Sequence, residues 1–195
     1  VKALISREGR RKFSSCPGLT PRQLHAMLDG QLDDWKYDVV SVGFPAPVKN
    51  GRILTDPKNL GKGWTRFNFE KAFGKPVRVI NDAAMQALGS YEGGKMLFLG
   101  LGTGLGPALI ADGVVEPMEL GHLPFRKATF EDYVGERGRK AASWNEAISE
   151  VAHSLRDIIV DAGKKKLLKL TIEVPVEDMA KLGVVGEALN LLLLL

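Results

Sequence analysis

Between residues 99 and 106 the chain reads Leu-Gly-Leu-Gly-Thr-Gly-Leu-Gly, with glycine at every second position around a single hydroxyl, Thr103. Apolar runs flank it at 96–98 and 107–111, so a strand ends in this loop and another leaves it. Glycine lets backbone N–H groups converge without a Cβ in the way, and such a nest attracts phosphate. A tight turn between two buried strands would use the same residues. The loop alone leaves these two roles evenly matched. Asp82 is the second candidate, following Asn81 where the apolar run 77–80 passes into the helix-forming stretch 83–88. Ligands of α/β proteins gather at the carboxyl ends of strands, and a carboxylate placed there can take a proton from an alcohol. Capping the helix is its other role. In Glu119-Leu120-Gly121-His122, the glycine lets two polar side chains turn toward one ligand. A structural histidine and a surface glutamate read equally from that segment, and no further ligands lie at metal-binding spacing. Asn59, set among turn residues, either stabilises a turn or offers a donor and an acceptor to a sugar hydroxyl.

The elements that must position these groups are punctuated by caps and turns. Residues 2–6 read as a strand turned by Glu8-Gly9. Thr20-Pro21-Arg22-Gln23 combines an N-cap, a first-turn proline and a capping-box glutamine, predicting a helix to about 33. Residues 38–44 form a buried strand, Asn50-Gly51 a hairpin turn, and Asn68 with Gly74 the two ends of a short helix. Asp112-Gly113 is a second hairpin turn. Thr129 with Asp132 opens one helix, and Ser143 with Glu146 a longer one that Gly163 closes. Residues 167–174 read as a strand, and the leucine-rich end, 189–195, as a buried final helix or a low-complexity tail. Strands and helices at this density predict an α/β fold, with Gly93-Gly94 as the hinge between lobes at 1–92 and 93–195.

The 195 residues are enough for one sizeable core or two small ones. A hydrophobic share of 45% with 26% charged residues is that of a soluble globular protein. The net charge of +4 is scattered rather than set in a stripe with aromatics, which argues against nucleic acid. Cys16 is the single cysteine, excluding an internal disulfide and a cysteine-built zinc site. The longest apolar run, 191–195, is far shorter than the ~18 residues that cross a bilayer, so no membrane partner is expected.

Five motifs in one order resemble the ROK family of sugar kinases, above all its glucokinases that use polyphosphate or ATP. They are Gly43-Phe44-Pro45-Ala46-Pro47, Asn59-Leu60, Val79-Ile80-Asn81-Asp82-Ala83, Leu101-Gly102-Thr103-Gly104-Leu105-Gly106 and Glu119-Leu120-Gly121-His122. The match is good over 36–140, moderate over 1–35 and poor after 140. The resemblance implies the actin-like (ribonuclease H-like) sugar-kinase fold, two α/β lobes around a cleft. It implies transfer of a phosphoryl group to the primary hydroxyl of glucose or a similar hexose; independently of the resemblance, the single cysteine leads us to expect a reducing cytoplasm. By position, Asp82 would be the general base, and Asn59, Asn81, Glu119, His122 and Glu136 would hold the sugar. Gly102, Thr103, Gly104 and Gly106 would bind the donor, with Mg2+ bridging its phosphates. The cysteine-rich zinc motif of many members is absent, as it is from the polyphosphate type. Members commonly form dimers, so a homodimer is an expectation; one of the family's DNA-binding sensors is not expected, since no helix-turn-helix reads from residues 1–35. Two departures stand out: the family's first strand and phosphate loop are missing, and no glycine stands between 167–174 and Gly183 where an adenosine loop belongs. They leave as the alternative a sugar-binding remnant or truncated kinase that does not transfer phosphate.

Overall fold

The computed structural model describes residues 2–5, 9–14, 18–141, 143–156 and 190–194. Strand β1 (Lys2–Ile5) pairs antiparallel with β2 (Gly9–Lys12). Helix α1 (Pro21–Leu28) begins at the expected capping box, with the Gln23 N–H donating to Thr20 Oγ1 at 3.4 Å and the Thr20 N–H to Gln23 Oε1 at 2.8 Å. It stops short of residue 33 because Asp29 leaves helical geometry and Gly30 takes a φ of 72°. Leu32 and Trp35 still reach the core through the turns that follow. Strand β3 (Val39–Phe44) is buried at Val40, Val42 and Phe44. Asn50 and Gly51, with φ of 51° and 73°, then turn β4 (Val48–Lys49) into β5 (Arg52–Ile53), as this dipeptide does in two-residue hairpins. Helix α2 (Phe69–Phe73) is capped by Asn68 and closed by Gly74 at φ 62°, both as expected. Strand β6 (Val77–Asn81) runs without a linker into α3 (Asp82–Ser90).

Strands β7 (Lys95–Leu101), β8 (Leu105–Ala111) and β9 (Val114–Pro117) form a three-stranded sheet in that order, with Asp112 and Gly113 at positive φ in the second turn. A small hairpin of β10 (Pro124–Phe125) and β11 (Ala128–Thr129) leads into α4 (Phe130–Val134), and α5 (Trp144–Arg156) follows. The predicted closure of α5 at Gly163 and the strand at 167–174 lie outside the described residues. The leucine-rich end is not a helix: Asn190–Leu194 is strand β12, parallel to β3 on one side and antiparallel to β1 on the other. A continuous apolar run is what a central strand between two neighbours reads as.

The main sheet has the order β2-β1-β12-β3-β6. Because β12, β3 and β6 are parallel, their carboxyl ends share one edge, where Phe44 pairs with Asn81. The chain divides into two compact units, Val1–Met96 with Leu109–Pro117 and Asp178–Leu195, and Leu97–Ala108 with Met118–Glu177. In the first, Leu24, Leu28, Val40, Val42, Phe44 and Trp64 belong to one core. In the second, Leu105, Leu120 and Phe130 pack with Val151 and Leu155 of α5.

Candidate functional site

In the first unit the candidate base stands at the sheet's carboxyl edge. Asn81 ends β6 and caps α3: its Oδ1 accepts from the Ala83 and Ala84 N–H groups at 3.0 and 3.2 Å. Its Nδ2 donates to the carbonyls of Phe44 and Ala46 at 3.5 and 3.4 Å. An amide has two donors and two acceptor positions, so all four are used within the protein. Asn81 therefore ties the end of β3 to the start of α3. Asp82, half-buried in the first helical turn, accepts from the Ala83 N–H at 2.8 Å through one oxygen.

Asn59 is exposed on a loop folded around another carboxylate. Asp56 accepts the N–H groups of Gly63, Trp64 and Thr65 at 3.1, 2.8 and 3.4 Å, starting a turn of 3-10 helix at Trp64–Arg66. The Gly63 N–H foremost, then those of Trp64 and Thr65 and the nearby Lys62, hold the Asp56 carboxyl below the usual range against the opposing effect of desolvation. Trp64 anchors the loop, its ring 5.1 Å from that of Phe44 and stacked 6.3 Å from that of Phe69. The aromatic contact fastens the loop to the strand whose end Asn81 also grips.

The second unit builds its cluster around a residue the sequence reading passed over. None of the glycines from Gly100 to Gly106 has a positive φ, so backbone handedness does not require them; close approach does at Gly100 and Gly104. A Cβ at Gly104 would stand 2.8 Å from Glu131 Oε2, and one at Gly121 3.4 Å from the same oxygen. The Glu131 N–H donates to the Gly121 carbonyl at 3.0 Å, and its Oε1 lies 3.6 Å from His122 Nδ1 and 3.7 Å from Arg137 Nη2. One carboxylate thus joins the glycine loop to the Gly121-His122 turn. The signal for it was available: Glu131 falls in the first turn of a helix whose Thr129–Asp132 cap the sequence already marks.

The loop tip itself is open. Gly102 and Thr103 are exposed, the Gly102 N–H donates to the Gly104 carbonyl at 3.1 Å, and a Cβ at Gly102 would meet nothing within 4 Å. Its underside rests on the end of α4, where the Glu136 N–H donates to the Thr103 carbonyl at 3.4 Å. Glu136 meets the loop through this backbone group, its side chain exposed; Glu119 is likewise exposed. Asp132 is held below the usual carboxylate range, chiefly by the Thr129 hydroxyl at 2.6 Å and also by Arg137.

Solved structures share this arrangement of elements. A polyphosphate/ATP-glucomannokinase from Arthrobacter sp. strain KM is 26% identical with a TM-score of 0.53, covering 70% of this chain and 61% of that one. The fold is that of the ROK sugar kinases. A ROK glucokinase from Streptomyces griseus, solved with glucose and AMPPNP, shares it at 21% identity and a TM-score of 0.55, covering 76% of this chain and 57% of that one. A ROK hexokinase from Thermus thermophilus shares it at 18% and 0.51, covering 75% and 56%. The chain thus spans between 56% and 61% of the length of these ROK structures. No protein-family model and no curated protein matches it. Among the described residues no helix is long and apolar enough to cross a membrane, and no group of three or more His, Cys, Asp or Glu gathers to hold a metal.

Proposed function

We propose that this chain carries the sugar and donor sites of a ROK-type hexokinase. In this reading it transfers a phosphoryl group from ATP or polyphosphate to the primary hydroxyl of glucose or a similar hexose. The observation that carries it is Asp82, at the carboxyl edge of a parallel sheet, on a helix start that Asn81 fastens with four hydrogen bonds. Phosphoryl transfer requires a positioned nucleophile and charge stabilisation more than covalent work by the protein. Asp82 takes the hydroxyl proton. Asn59, Glu119 and His122 hold the sugar, joined by Glu131, whose carboxylate shares the His122 turn. Glu136, with its side chain outward, is retained as a weaker contact. The tip at Gly102, Thr103 and Gly104, with Gly106 behind it, receives the donor phosphates. Mg2+ uses one or two carboxylates plus substrate phosphates rather than an all-protein cage. It would come bound to the donor.

The decisive measurement is glucose phosphorylation with ATP and with polyphosphate. Asp82→Asn should lower kcat by about 10²–10⁴-fold, the usual share of a general base, while glucose affinity stays nearly unchanged. Full turnover in that variant removes Asp82 from the mechanism. The absence of glycine between Gly163 and Gly183 favours a second reading, a sugar-binding protein without transferase activity. Glucose-dependent stabilisation with no sugar phosphate from either donor would select it.

A further inference from the structure

Asn59 stands at the tip of a tight turn. The Leu60 N–H donates to the Pro57 carbonyl at 3.4 Å, which leaves Lys58 and Asn59 as the central residues, both exposed. The base of the turn is fixed: Pro57 is buried and Leu60 packs on the core of the first unit. Next in the chain, the Gly61 N–H donates to the Leu19 carbonyl at 2.8 Å, just ahead of α1. The fit there is close. A Cβ at Gly61 would collide with the Gly18 carbonyl oxygen and stand 2.7 Å from Thr20 Cγ2. Beyond Gly61 the chain folds back onto the start of its own loop, where Asp56 Oδ2 accepts from Gly63 and Oδ1 from Trp64 and Thr65. Trp64 is 1% exposed, yet its indole Nε1 has no hydrogen-bond partner among the described residues. The ring therefore contributes packing, and the polar tether at this residue is its main-chain N–H on Asp56.

We propose that Asp56 and Gly61 are positioning residues for the sugar, together holding the Asn59 amide where it meets a hexose hydroxyl. The inference rests on the assignment of Asn59 in the kinase reading and adds the groups through which Asn59 acts. Neither residue is asked to touch the substrate. An amide that binds a hydroxyl must present its donor and acceptor at a set distance and angle. On a free turn that geometry would have to be ordered each time a sugar arrives, at a cost in affinity. Asp56 meets this cost ahead of binding, because one carboxylate gathers the N–H groups that close the loop. Gly61 permits the approach to residues 18–20 that a side chain would block.

The test is a double-mutant cycle on the full chain, read as KM and kcat for glucose and, independently of turnover, as glucose affinity by calorimetry. Asn59→Ala and Asp56→Ala should each weaken glucose about tenfold, the worth of one binding hydrogen bond, with kcat nearly unchanged. In the double variant the two losses should not multiply, since Asp56 acts through Asn59. A purely structural role has another signature: a smaller folded fraction lowers apparent kcat and leaves KM alone. Gly61→Ala reaches the same turn with Asp56 intact and should give a similar rise in KM. Asp56→Asn, which keeps an acceptor oxygen for Trp64 and Thr65, should give a smaller one. These two variants carry the cycle if Asp56→Ala does not fold. Losses that multiply, or normal glucose binding in Asp56→Ala and Gly61→Ala beside a weakened Asn59→Ala, overturn the positioning and leave the kinase. Normal glucose affinity in Asn59→Ala overturns it as well. Weakened, non-multiplying glucose binding with no sugar phosphate from either donor keeps the positioning and removes the kinase. A wild-type chain that binds no glucose overturns both.

Discussion

At the residue scale, two glycines in the second unit separate tolerance from intolerance. A Cβ at Gly104 meets Glu131 Oε2, the far end of a side chain that can swing aside. A Cβ at Gly135 meets the Glu131 carbonyl oxygen at 2.6 Å and that of Thr103 at 2.9 Å, both fixed backbone. Gly135 has an ordinary φ of −75°, so any penalty there is steric. Gly135→Ala should cost about 1–3 kcal/mol of stability, as overpacking does, seen as a lower denaturant midpoint. Gly104→Ala should leave the midpoint nearly unchanged but displace the Glu131 carboxylate; on the kinase reading it should raise KM for glucose and, because Gly104 lies in the loop assigned to the donor, KM for the phosphoryl donor as well. Equal midpoints in the two variants would contradict the packing described here.

At the element scale, the loop presenting Asn59 is held by an aromatic anchor and an ionised clasp. Three N–H groups converge on Asp56 and favour its charged form, lowering its folded pKa. Such a group contributes stability that is fully present above its unfolded pKa, about 3.9, and lost as pH falls through the folded value. Asp56→Asn should therefore be less stable than the wild-type chain at neutral pH, and the gap should close as pH drops below about 4. Thermal melts at matched ionic strength from neutral to acidic pH read this. A gap that persists in acid would place the stabilising effect elsewhere than in the carboxylate's charge.

At the scale of the whole molecule, a native-state ligand stabilises by mass action whatever the rate of chemistry. Glucose at 100 times its Kd should add about 2.7 kcal/mol to unfolding, raising Tm in a concentration-dependent way. A non-substrate sugar lacking the matching hydroxyls should not. The absence of any sugar-dependent shift would count against both the kinase and the sugar-binding reading, which share the sugar site and differ in the fate of the phosphate.

Local chemistry made much of this legible before any coordinates. The capping box at Thr20–Gln23, the Asn50-Gly51 hairpin and the Asn68–Gly74 helix all appear as expected, because each is set by backbone and side-chain preferences within a few residues. The placement of Asp82 at a strand end and of Thr103 in a loop between strands was readable for the same reason. Long-range packing was not. That the leucine-rich end at 190–194 is a strand between β1 and β3 depends on partners far away in sequence, and a leucine run satisfies helix and strand alike. The engagement of all four positions of Asn81 and the bridging by Glu131 likewise arise only where segments distant in the chain meet. Types and spacing determined which groups are able to act; the tertiary structure decided which of them are already occupied by one another.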